Sequence, residues 1–272
     1  MLKVFMEKKN LNYNKSNLVY HTSGDGPVIL FIHGFGETSA VWKTVVKSFY
    51  NYKVIVPDLP GSGESDNYFL GMEAYANLMF LLMESEKMKS DERINIIGHS
   101  MGGYIALQMA TLRPEKIESL CLFHSSMFAD KEEKVESRKK GIEFIKRNGS
   151  YLFLKSSIPD LFSSKSQRTL NAEIQKLIES AKLFSPEVLV NYYEMMMSRM
   201  DCTSFMGNVD FPVLLIAGDE DNAVPLNHLL KQSYVAPITQ LAILKDVAHM
   251  GMIERPVDCI EVIKTFLARF IG

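Results

Sequence analysis

The chain has 272 residues, of which 47% are hydrophobic and 23% are charged, and its formal net charge is −2. This length fits one large α/β domain with an insertion, or two small domains, and the hydrophobic content is sufficient for a sizeable core. Because no basic face is apparent and the longest aliphatic runs are only as long as a strand, the sequence predicts neither a nucleic-acid partner nor a membrane partner.

Strands and helices alternate along the first part of the chain. Strands are predicted at 18–21, 27–32, 53–56, 93–97 and 117–123, and helices at 38–49, 72–88 and 104–110. This alternation predicts an α/β fold with a mostly parallel central sheet and helices on both faces. A turn signal at 24–26 separates the first two strands, which we expect to form an antiparallel edge.

The alternation stops after Phe123 and resumes at Pro212. Within this interval, helices are predicted at 131–147, 149–154, 166–181 and 186–200. We therefore expect residues 126–203 to form a helical cap, or lid, inserted into a core domain made of residues 1–125 and 204–272. The core is expected to continue with a strand at 212–217, a helix at 226–234, a strand at 240–244 and a closing amphipathic helix at 257–270.

The three cysteines, Cys121, Cys202 and Cys259, are far apart and odd in number, so no disulfide framework is predicted. The first residues lack the long apolar stretch of a signal peptide. Together these features predict a cytoplasmic protein. No metal is expected, because the six histidines show no spacing suited to ligation on one helix. The oligomeric state is not predictable from the sequence.

The most informative motif is Gly98-His99-Ser100-Met101-Gly102, which matches G-x-S-x-G. It lies between an apolar strand and an apolar helix. A serine on such a sharp strand-to-helix turn has its hydroxyl exposed above the sheet, and the glycines allow the two backbones to approach closely. The motif therefore predicts that Ser100 is a nucleophile.

A serine hydroxyl needs a base within hydrogen-bond reach, and the base needs an orienting acid. In open α/β sheets such groups lie on loops at the carboxyl ends of strands. His249 follows the last predicted strand and is the candidate base. The acid has several candidates: the consecutive residues Asp219, Glu220 and Asp221 after the strand at 212–217, and the weaker candidate Asp130.

The negative charge that develops on an attacked carbonyl oxygen needs two preorganised backbone N–H groups. One is expected from Met101, directly after the nucleophile and at the start of a helix. The other is expected from the loop at 33–36, where we choose the amide of Phe35. His33 is interpreted as a structural residue that holds this loop.

Several motifs together resemble the α/β-hydrolase superfamily in its capped, esterase-like branch. They are HGFG at 33–36, DLPGSGES at 58–65, GHSMGG at 98–103, GDED at 218–221 with VP at 224–225, and AH at 248–249. The resemblance implies the α/β-hydrolase fold without a cofactor, with Ser100 as nucleophile, Asp221 as acid and His249 as base. It also implies an oxyanion hole formed by the amides of Phe35 and Met101.

The function expected from this resemblance is a serine hydrolase that cleaves a carboxylic ester or thioester of a small substrate through an acyl-enzyme. Serine at the elbow argues against haloalkane dehalogenases and epoxide hydrolases, which carry aspartate there. One alternative is a C–C bond hydrolase acting on a vinylogous diketone, whose substrate carboxylate would be bound by Arg138, Arg147, Arg168 or Arg199. A second alternative is a ligand-binding receptor that does not turn over.

The acyl-binding pocket is expected to be largely apolar and adaptable, because methionine is frequent at sixteen residues and flexible thioethers fill irregular space. The residues expected to contact the substrate are Phe35, Met101, Phe128, Met196 and Met250. They are chosen because they lie beside the candidate catalytic positions or on the predicted cap.

Overall fold

The computed structural model describes residues 6–69, 71–89 and 91–270. In these ranges one eight-stranded sheet runs in the order β1-β2-β4-β3-β5-β6-β7-β8. The strands are β1 Glu7–Tyr13, β2 Ser16–Ser23, β3 Val28–Ile32, β4 Lys53–Pro57, β5 Ile94–His99, β6 Ile117–Phe123, β7 Val213–Gly218 and β8 Thr239–Leu244. Strand β2 is antiparallel to both of its neighbours, β1 and β4. All other neighbouring strands, from β4 across the sheet to β8, are parallel.

Helices cover the sheet and fill the interval between β6 and β7. They are α1 Met72–Ser85, α2 Met101–Leu112, α3 Glu132–Asn148, α4 Ser150–Ser157, α5 Ser164–Thr169, α6 Asn171–Ser180, α7 Pro186–Met197, α8 Thr203–Met206, α9 Leu226–Gln232, α10 Gly251–Glu254 and α11 Pro256–Phe270. Every residue of β3, β5 and β7 is buried, which explains the continuous apolar sequences of β3 and β7. The predicted mostly parallel α/β sheet is confirmed.

The interval between β6 and β7 is helical, as predicted, and in the described chain it contains no strand. Its helices begin at recognisable caps: the hydroxyl of Ser163 accepts from the amide of Ser166, and that of Ser185 accepts from the amide of Val188. The single helix expected at 166–181 is instead two helices, α5 and α6, separated at Leu170. Throughout, "the cap" refers to residues 126–203, whose status as a separate domain remains a prediction.

The N-terminal prediction is wrong in two respects. Strand β1 was not expected, because its sequence EKKNLNY is largely polar and exposed, as edge strands often are. The first two predicted strands are also not neighbours, since β2 pairs with β4 rather than with β3. The antiparallel edge of the sheet is therefore the β1–β2 hairpin.

The helix predicted at 38–49 is two short 3₁₀ helices, Ser39–Trp42 and Val46–Ser48. Thr38 caps the first one, since its hydroxyl accepts a hydrogen bond from the amide of Ala40. The apolar residues of this segment nevertheless point inward as expected, and Trp42 is completely buried. The burial pattern was therefore predicted better than the helix type.

The cap is joined to the core by specific polar contacts. The hydroxyl of Tyr192 on α7 lies 2.9 Å from the carbonyl oxygen of Pro60 and 2.8 Å from Oγ of Ser62. These two residues belong to the loop after β4, so the contact fixes α7 over the sheet. Among the helices of the described chain, none is long and apolar enough to cross a membrane.

Candidate active site

Ser100 occupies a strained turn between β5 and α2. Its backbone has φ +50° and ψ −115°, a conformation that a residue with a side chain rarely adopts. Two hydrogen bonds hold it: its amide donates to the carbonyl of Phe123 at 3.0 Å, and the hydroxyl of Ser125 donates to its carbonyl at 2.7 Å. The turn is therefore braced by the end of the neighbouring strand β6.

Two glycines make this turn possible through close backbone packing. A Cβ atom at Gly98 would lie 2.5 Å from the carbonyl oxygen of Gly102. A Cβ atom at Gly102 would lie 2.5 Å from the carbonyl oxygen of Ile32 on β3. Since the crowding atoms are backbone, neither position has room for a side chain.

Asp221 and His249 are brought together by the loops that follow β7 and β8. Nδ1 of His249 lies 2.8 Å from Oδ2 of Asp221, and both side chains are buried. The other carboxylate oxygen, Oδ1, accepts the amides of Ala223 and Val224 at 2.8 and 2.9 Å. These bonds fix the carboxylate so that it presents Oδ2 to the imidazole.

The pKa values of this pair are shifted in opposite directions. Burial disfavours the charged form of Asp221, but the neighbouring imidazoles of His249 and His124 outweigh it and hold the pKa of Asp221 well below its ordinary range. Burial likewise disfavours the charged form of His249, but the carboxylate of Asp221 outweighs it and raises the pKa of His249. The pair therefore favours a carboxylate beside an imidazole that accepts a proton readily.

The other candidate acids lie elsewhere. Oδ1 of Asp219 accepts the amide of Val247 at 3.3 Å, and Oε2 of Glu220 accepts the amide of Ser164 at 3.2 Å. Asp130 is bound by Arg138 and Arg199. In the described chain, Asp221 is the one candidate acid whose carboxylate is hydrogen-bonded to His249.

Ser100 and His249 both follow parallel strands at the same edge of the sheet. In the described part of the chain, no hydrogen bond joins the two side chains. Such bonds in ligand-free sites often tighten only when substrate binds. Because Nδ1 of His249 donates to Asp221, its Nε2 carries the lone pair. The imidazole is thus in the tautomer that can accept a proton at Nε2.

A second histidine on Asp221 was not anticipated from the sequence. Nδ1 of His124 lies 3.0 Å from Oδ2 of Asp221, the same oxygen that His249 binds. Burial lowers the pKa of His124, so it is a neutral donor, and its buried Nε2 has no partner among the described residues. Its position in the sequence could have indicated this contact. His124 directly follows β6, and the loop after the neighbouring strand β7 carries Asp221.

The ligating atoms of His124, Asp221 and His249 all lie within 4.8 Å of one another. The spacing argument along the sequence did not anticipate this cluster, because its members come from three separate loops. Both imidazoles already use Nδ1 to donate to one carboxylate oxygen. We therefore interpret the cluster as hydrogen-bond donors around a carboxylate rather than as a metal centre.

A buried ion pair lies behind the site and was also missed. Oε2 of Glu37 lies 3.0 Å from Nδ1 of His99 and accepts the amide of Gly34 at 2.7 Å. Nε2 of His99 lies 3.0 Å from the carbonyl oxygen of His249. His99 therefore donates from both nitrogens, and the Glu37–His99 pair connects the 33–36 loop, the nucleophile turn and the backbone of the candidate base.

His33 holds the same loop, as the sequence predicted. Its Nδ1 lies 2.9 Å from the carbonyl oxygen of Gly34, and its Nε2 accepts the amide of Leu59 at 3.0 Å. This pattern requires a neutral imidazole with the proton on Nδ1. Burial favours that form, because it lowers the pKa of His33.

The two amides expected to form an oxyanion hole belong to Phe35 and Met101. Met101 is the first residue of α2, so its amide lacks an intrahelical partner. Neither amide donates a hydrogen bond within the described ranges. The ring of Phe35 stacks on Tyr193 of α7 at 4.3 Å between centroids, which places the loop directly under the cap.

The five residues expected to bind substrate are distributed over two cavities and the core. Phe35 and Met250 line a cavity of about 110 Å³ beneath α4. Phe128 lines a larger cavity of about 300 Å³ beside α3. Met101 and Met196 are buried and line neither of these cavities. Contact of any of the five with a substrate stays a prediction.

Comparison with known proteins places this geometry in a family. Residues 27–256 match the alpha/beta hydrolase fold family. The chain belongs to that family. The turn at Ser100 and the loops after β7 and β8 lie within the matched residues.

Relatives share this fold at modest identity. An uncharacterized protein of Mycobacterium bovis is 40% identical over 106 residues, which are 38% of this chain and 30% of that protein. A pimeloyl-[acyl-carrier protein] methyl ester esterase of Wigglesworthia glossinidia brevipalpis is 26% identical over 91% of this chain and 96% of its own length. The structure of a thermophilic esterase from Thermogutta terrifontis superposes with a TM-score of 0.87 at 25% identity, covering 98% of this chain and 99% of that one.

Proposed function

We propose that the protein is a serine hydrolase that cleaves a carboxylic ester or thioester through an acyl-enzyme. The observation that carries the proposal is the 2.8 Å contact of Asp221 with His249, at the same edge of the sheet as the strained turn of Ser100. Similarity to two esterases over nearly the whole chain supports it.

In the proposed mechanism His249 Nε2 takes the hydroxyl proton of Ser100 while Oγ attacks the acyl carbon. The carbonyl oxygen becomes an oxyanion, which the amides of Phe35 and Met101 stabilise. The imidazolium gives its proton to the leaving alcohol or thiol, and the acyl group remains on Ser100. Water activated by His249 then releases the acid. Asp221 stabilises the imidazolium and keeps its tautomer.

The acyl group is proposed to be small and largely apolar, and to be bound between cap and core. Two cavities adjoin both cap and core and support this: that of about 110 Å³ beneath α4 has apolar walls from Phe35, Leu154 and Met250 beside the proposed oxyanion loop, and that of about 300 Å³ beside α3 is lined by Phe128. The cap is proposed to determine which ester fits. A cytoplasmic location also stays a prediction.

The C–C bond hydrolase is the weaker candidate on one specific observation. Two of the cap arginines considered for a substrate carboxylate, Arg138 and Arg199, both bind Asp130, at 2.6 and 2.8 Å. Neither guanidinium is therefore an unpaired cation. A receptor that does not turn over differs from the hydrolase in its kinetics, since it would acylate once and not release.

The test is the reactivity of Ser100. Ser100→Ala is expected to fold normally and to lose hydrolysis of a p-nitrophenyl ester by several orders of magnitude. A fluorophosphonate is expected to label Ser100 in the wild-type protein, as read by peptide mass spectrometry, with Ser156→Ala, which changes an exposed serine of α4, as a labelled control. Near-wild-type turnover by Ser100→Ala would end the proposal, and a single burst without turnover would favour the receptor.

A further inference from the structure

The larger cavity, about 300 Å³ in volume, lies outside the triad but borders it on two sides. One wall is the loop directly after Asp221, including Val224. Another contains Tyr104, one turn along α2 from Ser100. The cap closes the remaining side with the start of α3 and with Phe128. The aromatic and aliphatic side chains of these walls suit a hydrocarbon chain.

The charged residues around this cavity are mostly cationic. The cations are Lys131, Lys134 and Arg199, and the anions are Asp130 and Glu133. His228 also lines the cavity, but burial and the neighbouring lysines lower its pKa, so it is neutral. Asp130 is bound by both Arg138 and Arg199, so two positive charges face its single negative charge. The guanidinium of Arg199 also lies 3.9 Å from the centre of the Tyr104 ring.

Two cations of this cavity, Lys131 and Lys134, have no carboxylate at salt-bridge distance within the described chain, and of the two it is Lys134 whose ammonium is fixed beside the loop after Asp221. Its Nζ contacts only the carbonyl oxygen of Ala223, at 3.3 Å. Although Lys134 lies on an exposed stretch of α3, the protein packed around its ammonium and the nearby guanidinium groups of Arg138 and Arg199 lower its pKa. A negative charge bound in the cavity would offset that repulsion.

Lys134 also faces the candidate catalytic centre. Its charge opposes protonation of His249 and is attracted by Asp221. The cation therefore lies within electrostatic range of the triad while it lines the neighbouring cavity. An ester that reached Ser100 and also contacted Lys134 would carry its anionic group at some distance from the scissile bond.

We propose that this cavity binds a carboxylate-bearing arm of the substrate, with its apolar walls around the aliphatic chain and the ammonium of Lys134 on the terminal carboxylate. This deepens the proposed function and rests on it, because it assigns the cavity to the substrate of Ser100. The preferred substrate is then a half-ester of a linear dicarboxylic acid, rather than an ester of a fatty acid.

The test compares two series of methyl esters, with acyl chains of four to ten carbons. One series is the monomethyl esters of linear dicarboxylic acids, and the other is the methyl esters of the matching monocarboxylic acids. The measured quantity is the ratio of kcat/KM for the charged ester to that for the neutral ester at each length. In the wild-type protein this ratio is expected to exceed one and to peak at one chain length.

Lys134→Gln is expected to reduce the peak ratio about tenfold, as loss of a hydrogen bond to a charged group does. Lys139→Gln is the matched control: it removes the same charge from the same helix, but Lys139 is exposed and paired with Glu136 at 2.7 Å. Using the ratio cancels any effect of Lys134 on His249. A wild-type ratio below one at every length, or equal ratios in the two variants, would overturn the proposal.

Calorimetric binding of the free linear dicarboxylates, from succinate to sebacate, tests the cavity without turnover. Wild-type protein and Lys139→Gln are expected to bind one member of the series about tenfold more tightly than Lys134→Gln does. If no ester is hydrolysed but this binding is found, the proposed function fails and the anion site stands. If esters are hydrolysed and neither binding nor selectivity depends on Lys134, only the anion site fails.

Discussion

The carboxylate of Asp221 receives four donors on two oxygens, two from backbone amides and two from histidines. Asp221→Asn is expected to reduce kcat/KM about 10⁴-fold, because an amide can stabilise the wrong tautomer of His249. Asp219→Asn is the control, since Asp219 accepts only an amide in the described chain. Equal activities of the two variants, measured on one p-nitrophenyl ester, would reassign the acid.

The pH profile gives a second measurement of the same pair. The pKa of His249 is raised above 6.5, and the base must be neutral, so kcat/KM is expected to rise with pH through a midpoint above 6.5. The charged or titratable groups facing His249 are Asp221, Glu37, Lys134, His99 and His124. Removing the Asp221 charge lowers the pKa, so the residual activity of Asp221→Asn is expected to rise at lower pH. A midpoint that does not move would contradict this assignment.

Glu37 binds His99, which in turn donates to the backbone carbonyl of His249, the candidate base. The charge of Glu37 also helps to raise the pKa of His249. Glu37→Gln keeps the shape but removes the charge. We expect kcat to fall about tenfold with little change in KM, the rising limb to move to lower pH, and stability to fall by about 3 kcal/mol. Glu220→Gln is the control. A loss of stability with kcat and the pH midpoint unchanged would reduce the pair to a structural role.

At the scale of elements, the hydroxyl of Tyr192 on α7 supplies polar contacts between the cap and the core. Tyr192→Phe removes its contacts with Pro60 and Ser62 and leaves both oxygens buried without that partner. The free energy of unfolding in urea is expected to fall by about 1–3 kcal/mol. Tyr193→Phe is the control, because its ring stacks on Phe35 and its hydroxyl makes no hydrogen bond within the described residues. Equal losses in the two variants would show that the hydrogen bonds of the Tyr192 hydroxyl add no stability of their own.

The elements of the sheet were predictable where burial on both faces gives a continuous apolar run, as in β3 and β7. The polar edge strand β1 gave no such signal, and strand order is a long-range property that β2 alone cannot reveal. The Ser100 turn was predictable because its glycines adjoin it in sequence. Glu37 and His124 were not, since their partners come from other strands and only the folded sheet brings them together.

At the scale of the whole molecule, Glu86 joins the end of α1 to the antiparallel edge of the sheet. Its carboxylate lies 2.7 Å from Nζ of Lys53 and 3.1 Å from Nζ of Lys9, and it accepts the hydroxyl of Tyr20 at 2.5 Å. Burial opposes its ionisation, but these donors lower the pKa of Glu86 from 4.5 to about 2. Its contribution to stability is therefore complete above pH 4.5 and is lost as the pH falls towards 2.

Glu86→Gln is accordingly expected to lower the free energy of unfolding at pH 7 and to flatten its decline between pH 4.5 and 2. Denaturant unfolding at a series of pH values measures both effects. Glu84→Gln, which removes an exposed and longer pair with Arg113 at 3.4 Å, is expected to change stability by less than about 1 kcal/mol. An unchanged slope for Glu86→Gln would contradict the assignment.

The cap leaves the sheet from β6 and returns to it at β7, and these two strands are direct neighbours, with Leu120 opposite Val213 and Phe123 opposite Ile216. The strands are parallel, so their pairing does not itself bring the ends of the insertion together, but a backbone hydrogen bond does: the amide of Cys202 donates to the carbonyl oxygen of Met127 at 2.9 Å. The entropy of closing a loop grows slowly, by about 0.6 kcal/mol per doubling of its length. Insertions of very different lengths can therefore be accommodated at this one junction while the strand register supporting Ser100 is inherited unchanged.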